Sequence, residues 1–392
     1  MMKKTLSLLL AAAMLLAALS ACGAGGEDVE LIESPEPSAE AEATPSAEPE
    51  ASPEASAEPA HDWQALLVSR DADEVMMTVD GSDVTWDEFF YWLYVNVDSF
   101  EASYGQMDYS TELTEGMTYA DYMKTLSEQY AVAYHSLNVQ AAAEGYALTD
   151  EDRESLDEAV RQTIVNNCGE DGTEEDFEEF LAGQMLTRRV FDFVNETTLL
   201  NQRVWIDRYG AAGELYPEAD AISWGEGQGY VTVKHILVLT QDEEGNALDD
   251  AAKAEKLAQA EGLLEQLRPL SGSEEVVELF DELMQENSED PGLASYPNGY
   301  CYTPGTMYAE FEDAAAALGE YEVSDIVEST SGYHIILRLP LSKDDILFNY
   351  GYNLQYVAAQ MDFGELVNGW AADAEVVYEP AYEELDIAGM LQ

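Results

Sequence analysis

Cationic side chains are what this 392-residue chain has least of. Its 16 Lys and Arg stand against 80 Asp and Glu, a formal net charge of −64. A surface of that sign repels phosphate backbones and anionic headgroups, which excludes nucleic acid as a partner and docking on anionic lipid through charge. Cysteine is also scarce, with three residues in all: Cys22, Cys168 and Cys301. Cys168 and Cys301 could form one disulfide, but they fall in different expected domains and are read as unpaired. Neither has metal-ligand spacing around it, so neither a metal nor a cofactor is expected. There are only four histidines, so where two of them stand is informative.

Residues 1–21 have the make-up of a secretory leader. Lys3 and Lys4 precede an apolar run from Leu6 to Leu19, and Leu19-Ser20-Ala21-Cys22 closes it. The run is too short for a stable membrane span. A cysteine after Ser-Ala resembles a bacterial lipobox, in which Cys22 is lipidated and becomes the new N-terminus. An ordinary leader with an incidental cysteine is the alternative. Residues 22–62 then form a tether. Across 23–60, Glu, Ala, Ser and Pro dominate, no aromatic occurs, and 11 acids face no Lys or Arg. Such a segment cannot bury enough apolar surface to offset chain entropy, and its like charges extend it. The chain is therefore expected at the bacterial cell membrane, lipid-anchored on the extracytoplasmic face.

About 330 residues follow the tether, enough for two or three domains with real cores. Residues 23–60 hold only 11 of the 80 acids, so the folded part is itself strongly acidic. The block 63–228 reads as mainly helical. It opens with a strand at Val75–Val79 and a turn at Asp80-Gly81. Thr85-x-x-Glu88 has the form of a capping box for a helix running through Val97. Further helices are expected at 119–144 and 150–167, from Thr173-x-x-Asp176, and over 185–208. Trp86, Phe89, Phe90, Tyr91 and Trp92 put aromatics on every side of the first helix, so it must be buried. The segment 341–392 is the candidate to cover it. Residues 345–371 look helical, with Phe348, Tyr352, Tyr356 and Phe363 near helical spacing, and Glu375–Tyr378 reads as a strand.

Between these lies the stretch on which the chain is organised, 230–340. It begins with the strand-like V-T-V-K-H-I-L of 231–237 and ends with S-G-Y-H-I-I-L-R-L of 331–339. His235 sits in the first and His334 in the second. In period-2 geometry His235 shares a face with Val233 and Leu237, and His334 with Ile336. Either histidine alone would suit a satisfied core position. Here the two frame an acidic Asn287-Ser288-Glu289-Asp290 and a Gly305-x-Met307-x-x-x-Phe311 element with Glu312 following.

In this order and spacing the pieces resemble the parvulin-type peptidyl-prolyl isomerases over about 110 residues, 229–340. The resemblance implies an α+β fold. A parvulin-like domain, a small antiparallel sheet with surrounding helices, is inserted between a helical chaperone-like N-terminal lobe and a C-terminal helix and strand that complete it. That layout is similar to the PrsA-like and SurA-like extracytoplasmic foldases. The clients implied are unfolded or partly folded exported proteins containing X–Pro bonds.

An X–Pro amide turns slowly because its C–N bond has partial double-bond character, with a barrier of about 18–20 kcal/mol. Catalysis needs no covalent step. It needs a dry pocket for the proline ring and a polar lining that favours the twisted amide. The resemblance makes Met307 and Phe311 the proline pocket, four apart on an expected helix start; plain core is the other reading. It makes His235 and His334 the paired pocket histidines, with Ser329 joining them. Asp290 takes the position of the family's Asp or Cys, where its charge would act on the amide. As a loop acid before Pro291-Gly292 it would have a structural role instead.

The sequence departs from the family ahead of Met307. Where a Gly-Gly-Asp-Leu-Gly-aromatic-Phe run is usual, 296–302 reads Y-P-N-G-Y-C-Y, placing Gly299 at the pocket leucine and Tyr300 at a small residue. The loop Gln241-Asp242-Glu243-Glu244 has no Lys or Arg cluster, so phospho-Ser-Pro recognition is not expected. Two functional classes follow. The matched residues favour a lipid-anchored isomerase and foldase; the altered loop favours a non-catalytic holdase that grips peptides. A nutrient-binding lipoprotein would fit the leader but none of the motifs. For the anchor itself, Cys22→Ser should release the protein to the medium or leave it unprocessed. A variant that still fractionates with membranes as a lipid-labelled species overturns the assignment of Cys22.

Overall fold

A computed structural model of the chain describes residues 61–242 and 244–392. The leader, Cys22 and the acidic run of 23–60 lie outside the described residues, as does Glu243. The described chain divides into two compact units, one of 61–204 with 364–392 and one of 205–363.

The first unit is built on an antiparallel sheet of three short strands. Val75–Val79 is central, Ser82–Thr85 lies on one side and Val376–Tyr378 on the other. Asp80 and Gly81 join the first pair with φ of 52° and 81°, the mirror-image turn whose twist suits a two-residue hairpin. Asp80 also fixes the C-terminal strand, since its carboxylate accepts the Glu375 N–H at 2.8 Å. The aromatic helix Trp86–Tyr104 lies against the helix Tyr119–Ala143, burying Trp86, Phe89, Phe90, Trp92 and Val97. Trp92 stacks on Tyr130 with centroids 5.4 Å apart. Tyr382, Leu385, Ile387 and Leu391 complete the same core. Tyr382 packs edge-on to Phe89 at 5.5 Å and lies under the Lys124 ammonium at 4.1 Å. Its hydroxyl and that of Tyr378 both donate to Glu128. Residues 374–391 thus finish the core of the first unit, while Tyr356 and Phe363 pack on Trp205 in the second.

Three local expectations need correction. The Thr85/Glu88 capping box does not form. Thr85 donates to Asp87 instead, and the Glu88 carboxylate turns inward to the buried His135, 3.0 Å from Nε2. A carboxylate that leaves water gains more from a buried partner than from an exposed cap. Capping boxes do form at Thr118/Asp121, Thr149/Asp152 and Thr173/Asp176. The helix expected over 185–208 starts at Arg188, because Met185 has a left-handed φ of 57°. The helix expected from 345 starts at Leu354. Before it the chain turns back on itself, with Leu347 N–H donating to Tyr352 O at 2.9 Å and Gly351 at φ 71°.

The second unit carries a four-stranded antiparallel sheet in the order Tyr300–Tyr302, Val231–Leu239, Gly332–Leu339, Val327–Glu328. Helices Asp250–Leu267 and Val276–Asn287 cover one face, packing Leu263, Leu264 and Phe280 on Ile236, Val238, Ile335 and Leu337. On the opposite face Val233, Tyr300, Tyr302 and Ile336 gather around Phe311 from the helix Ala309–Ala317. The helix-covered side of the sheet is thus largely apolar, with Lys234 paired to Asp281 its charged exception.

For the first unit, Tyr382→Ala should cost about 3–5 kcal/mol, the range for truncating a buried aromatic. Removing residues 374–392 should cost more, since it uncovers the sheet edge as well. Thermal unfolding followed by tryptophan fluorescence measures both; an unchanged transition in either would contradict the shared core.

Candidate active site

Strand register brings the two histidines together. His235 pairs opposite Ile336 and Leu237 opposite His334, so the histidines are diagonal neighbours on one face of the sheet. Their rings lie 5.3 Å apart at 22°, with Nδ1 to Nδ1 at 3.2 Å. Both are buried, at 8% and 3% exposure, so each ring nitrogen requires a partner. His334 Nε2 meets Ser329 Oγ at 2.7 Å, and His235 Nε2 meets Asp290 Oδ2 at 3.1 Å. One proton arrangement with both rings neutral satisfies every nitrogen. Ser329 donates to His334, His334 donates through Nδ1 to His235, and His235 donates through Nε2 to Asp290.

Asp290 ends this chain and is itself firmly held. Oδ1 accepts the Gly292 N–H at 3.0 Å, and Oδ2 also accepts the Tyr300 hydroxyl at 2.6 Å. The loop before it is pinned to the first histidine strand, with Glu289 N–H donating to Leu237 O at 2.8 Å. Burial raises the Asp290 pKa, but the bonds from His235 and Tyr300 and the attraction of His235 outweigh it, bringing it down to about 2. Burial, and then the neighbouring His235, lower His334 to about 4, so it is neutral at ordinary pH.

Phe311 closes the constellation. Its ring stands edge-on to His235 at 5.3 Å and to His334 at 5.4 Å. Met307 packs against the same cluster, but not from a helical turn as the spacing suggested, since the helix begins only at Ala309. The Glu312 carboxylate collects the N–H groups of Gly305, Thr306 and Met307 at 2.7–3.0 Å, and this clamp sets Met307 beside Phe311. Ser331 meets the exposed Tyr308 hydroxyl at 3.2 Å.

All six residues expected of the site, His235, Asp290, Met307, Phe311, Ser329 and His334, thus converge on one face of one sheet. Three contacts at the site were not foreseen. Glu312 is the clamp, Phe348 packs on Tyr296 and Tyr300, and Tyr300 donates to Asp290. Gly299 has its own reason for being glycine. At φ 100° a Cβ there would lie 2.3 Å from Val233 O. Among the described residues no group of three or more potential ligand side chains could hold a metal ion. The free cysteines are Cys168 and the buried Cys301.

This segment has a family. Residues 235–339 match the rotamase family, described as the PPIC-type PPIASE domain, and the segment is a parvulin-type isomerase domain. The relatives it finds are foldases. The foldase protein PrsA of Geobacillus kaustophilus is 48% identical over 58 residues, which are 14% of this chain and 21% of that protein. Foldase protein PrsA 1 of Bacillus cereus is 49% identical over 59 residues, 14% and 20% of the respective chains. The match thus spans about a fifth of the length of these curated relatives. The solved structure of PrsA from Bacillus subtilis is 20% identical, covering 81% of this chain and 94% of that one, with a TM-score of 0.22.

The buried histidine has a consequence for stability. Its folded pKa of about 4 lies below its ordinary 6.5, so the unfolded chain binds the proton more readily. Stability from neutral His334 is complete above pH 6.5 and is lost as pH falls toward 4, by about 3 kcal/mol. Asp290 extends the loss from its ordinary 3.8 toward 2. Urea unfolding across this range should show the slope, and His334→Gln should flatten it between pH 6.5 and 4. An unchanged slope in that variant would contradict the assignment.

Proposed function

We propose that the chain is a lipid-anchored extracytoplasmic foldase whose 229–340 domain isomerises X–Pro bonds, and that His235, Asp290, Ser329 and His334 form its polar lining. The observation that carries this is the continuous Ser329–His334–His235–Asp290 chain with the Phe311 ring set edge-on against both histidines. Phe311 and Met307 supply an apolar seat for the proline ring. The fixed carboxylate of Asp290 and the ordered imidazoles supply a preorganised field beside the amide. A field that disfavours charge transfer along C–N stabilises the twisted state without a covalent step. Both Asp290 oxygens are already bonded, which suits a fixed charge better than a group that takes up protons.

The clients in this reading are unfolded or partly folded exported proteins, presented to the domain by an anchor at Cys22. The Leu19-Ser20-Ala21-Cys22 motif and acidic tether support the anchor, and the net charge of −64 sets the surface against nucleic acid. X–Pro bonds without phosphate fit best. The loop 241–244 lacks Lys and Arg, and two nearby cations are engaged, Lys256 by Glu289 and Lys234 by Asp281. In this reading 63–228 and 341–392 form the chaperone lobe that 229–340 interrupts.

A second reading, a holdase without turnover, draws on a different observation. The first unit has a groove of about 550 Å³ whose lining includes Leu126, Tyr130, Val132, Ala374 and Val376, beside the edge strand Val376–Tyr378. An extended apolar client could be held there.

Refolding of a protein limited by a proline step separates the two. The intact chain should accelerate that phase, and His235→Ala and Phe311→Ala should each cut the effect tenfold or more. Circular dichroism must accompany the second variant, because Phe→Ala in a core costs about 3–5 kcal/mol. Wild-type turnover in a folded His235→Ala variant rules out this site. If the intact chain suppresses client aggregation yet never accelerates the proline phase, the holdase reading replaces it.

A further inference from the structure

We propose that Tyr300 is a positioning residue of the isomerase site, holding the Asp290 carboxylate with Oδ2 directed at His235. This rests on the isomerase reading of the site and deepens it, at a position where the resemblance calls for a small residue. Tyr300 is 8% exposed, and its hydroxyl donates at 2.6 Å to the same oxygen that accepts His235 Nε2. With the Gly292 N–H on Oδ1, the Tyr300 hydroxyl is the second neighbour on Oδ2 and the shortest of the three bonds that set the carboxylate's direction.

The surroundings are shaped for this contact. A Cβ at Gly292 would lie 2.0 Å from the Tyr300 hydroxyl oxygen, so only glycine leaves room for that hydroxyl beside Asp290. The same Gly292 gives its N–H to Oδ1 of Asp290. On the other side the Tyr300 ring is set by Tyr296 at 5.0 Å, Phe348 at 5.9 Å and His235 at 5.5 Å. The Tyr300 strand pairs with the His235 strand through Val233, which fixes where the ring leaves the sheet. Three separated segments thus converge on one phenol–carboxylate bond. A wall that only excluded water would not need the hydroxyl.

The titratable groups facing Asp290 are His235 and, behind it, His334 from the two central strands, with Tyr300 and then Tyr296 from the 296–302 segment. Of these, Tyr300 is the one whose hydroxyl can be deleted without touching the histidine pair. A hydrogen bond to an ionised group moves the titration of its acceptor by about one to two pH units.

The test uses the full chain and Tyr300→Phe. The Asp290 carboxyl is followed by carbon NMR and isomerisation of an X–Pro peptide by its rate, both from about pH 2, where the wild-type carboxyl titrates, to about pH 7, above the ordinary carboxyl range. The carboxyl titration should move up by one unit or more, and the acid limb of kcat/KM should move with it. In an Asp290→Asn background, Tyr300→Phe should have little further effect on turnover. Gly292→Ala should reproduce the upward shift by displacing the hydroxyl, and adding Tyr300→Phe to it should shift nothing more. An unmoved Asp290 titration in folded Tyr300→Phe, or equal losses from Tyr300→Phe with and without Asp290, overturns the proposal. The NMR readout does not depend on turnover. A chain that never isomerises therefore refutes the function, while an unmoved titration refutes the role of Tyr300 alone.

Discussion

The pairing of Val231–Leu239 with Gly332–Leu339 is the constraint on which the isomerase unit depends. It sets His235 diagonally across from His334 and sends Ile236 and Ile335 to the opposite, helix-covered face. Side chains alternate with a period of two, so a slip of one residue would exchange these sets. Both imidazoles would then enter an apolar core, and the isoleucines would face the polar loop. The apolar side thus enforces the geometry of the polar side. Stability and site are specified by the same register, and the site needs no separate scaffold.

A second constraint is the scarcity of cations. With so few Lys and Arg, acidic groups that leave water are satisfied largely by neutral donors. Tyr378 and Tyr382 serve Glu128, Tyr209 serves Asp362, and Tyr300 serves Asp290. The same economy appears at two helix starts, where threonine hydroxyls and backbone N–H groups hold Asp121 and Asp176. Neutral donors stabilise a carboxylate without requiring a second desolvated charge. Charge-poor partners also screen less with salt, so these contacts should persist where surface ion pairs fade.

Much of this was legible in the sequence, for identifiable reasons. The order and spacing of His235, Phe311 and His334 carried the family resemblance, and strand periodicity gave the face on which each histidine lies. The burial of the Trp86–Tyr104 helix followed from aromatics on all its sides, and the C-terminal segment was the natural cover. What escaped depended on turns or on partners distant in sequence. Glu312 reaches back along an irregular loop. Phe348 points toward the site because 345–353 reverses before the helix, with its N–H bonded to Cys301 O at 2.8 Å. Tyr300 reads as an anomaly until the ten-residue loop from Asp290 is closed. Glu88 matched a cap pattern whose partner, His135, lies 47 positions away and leaves no local trace.

The C-terminal completion of the first unit bears on the order in which this chain can assemble. Met76 and Phe89 share a core with Leu385 and Leu391, so closing it requires joining residues about 300 positions apart, a loop whose entropy must be overcome late. The isomerase unit, by contrast, is contiguous in sequence over 205–363. During vectorial emergence from a ribosome or a translocon, the second unit has all its partners while the first still lacks a strand and four core side chains. The aromatic helix therefore spends its early life uncovered, a nascent chain in the same exposed condition as the clients proposed for the finished protein.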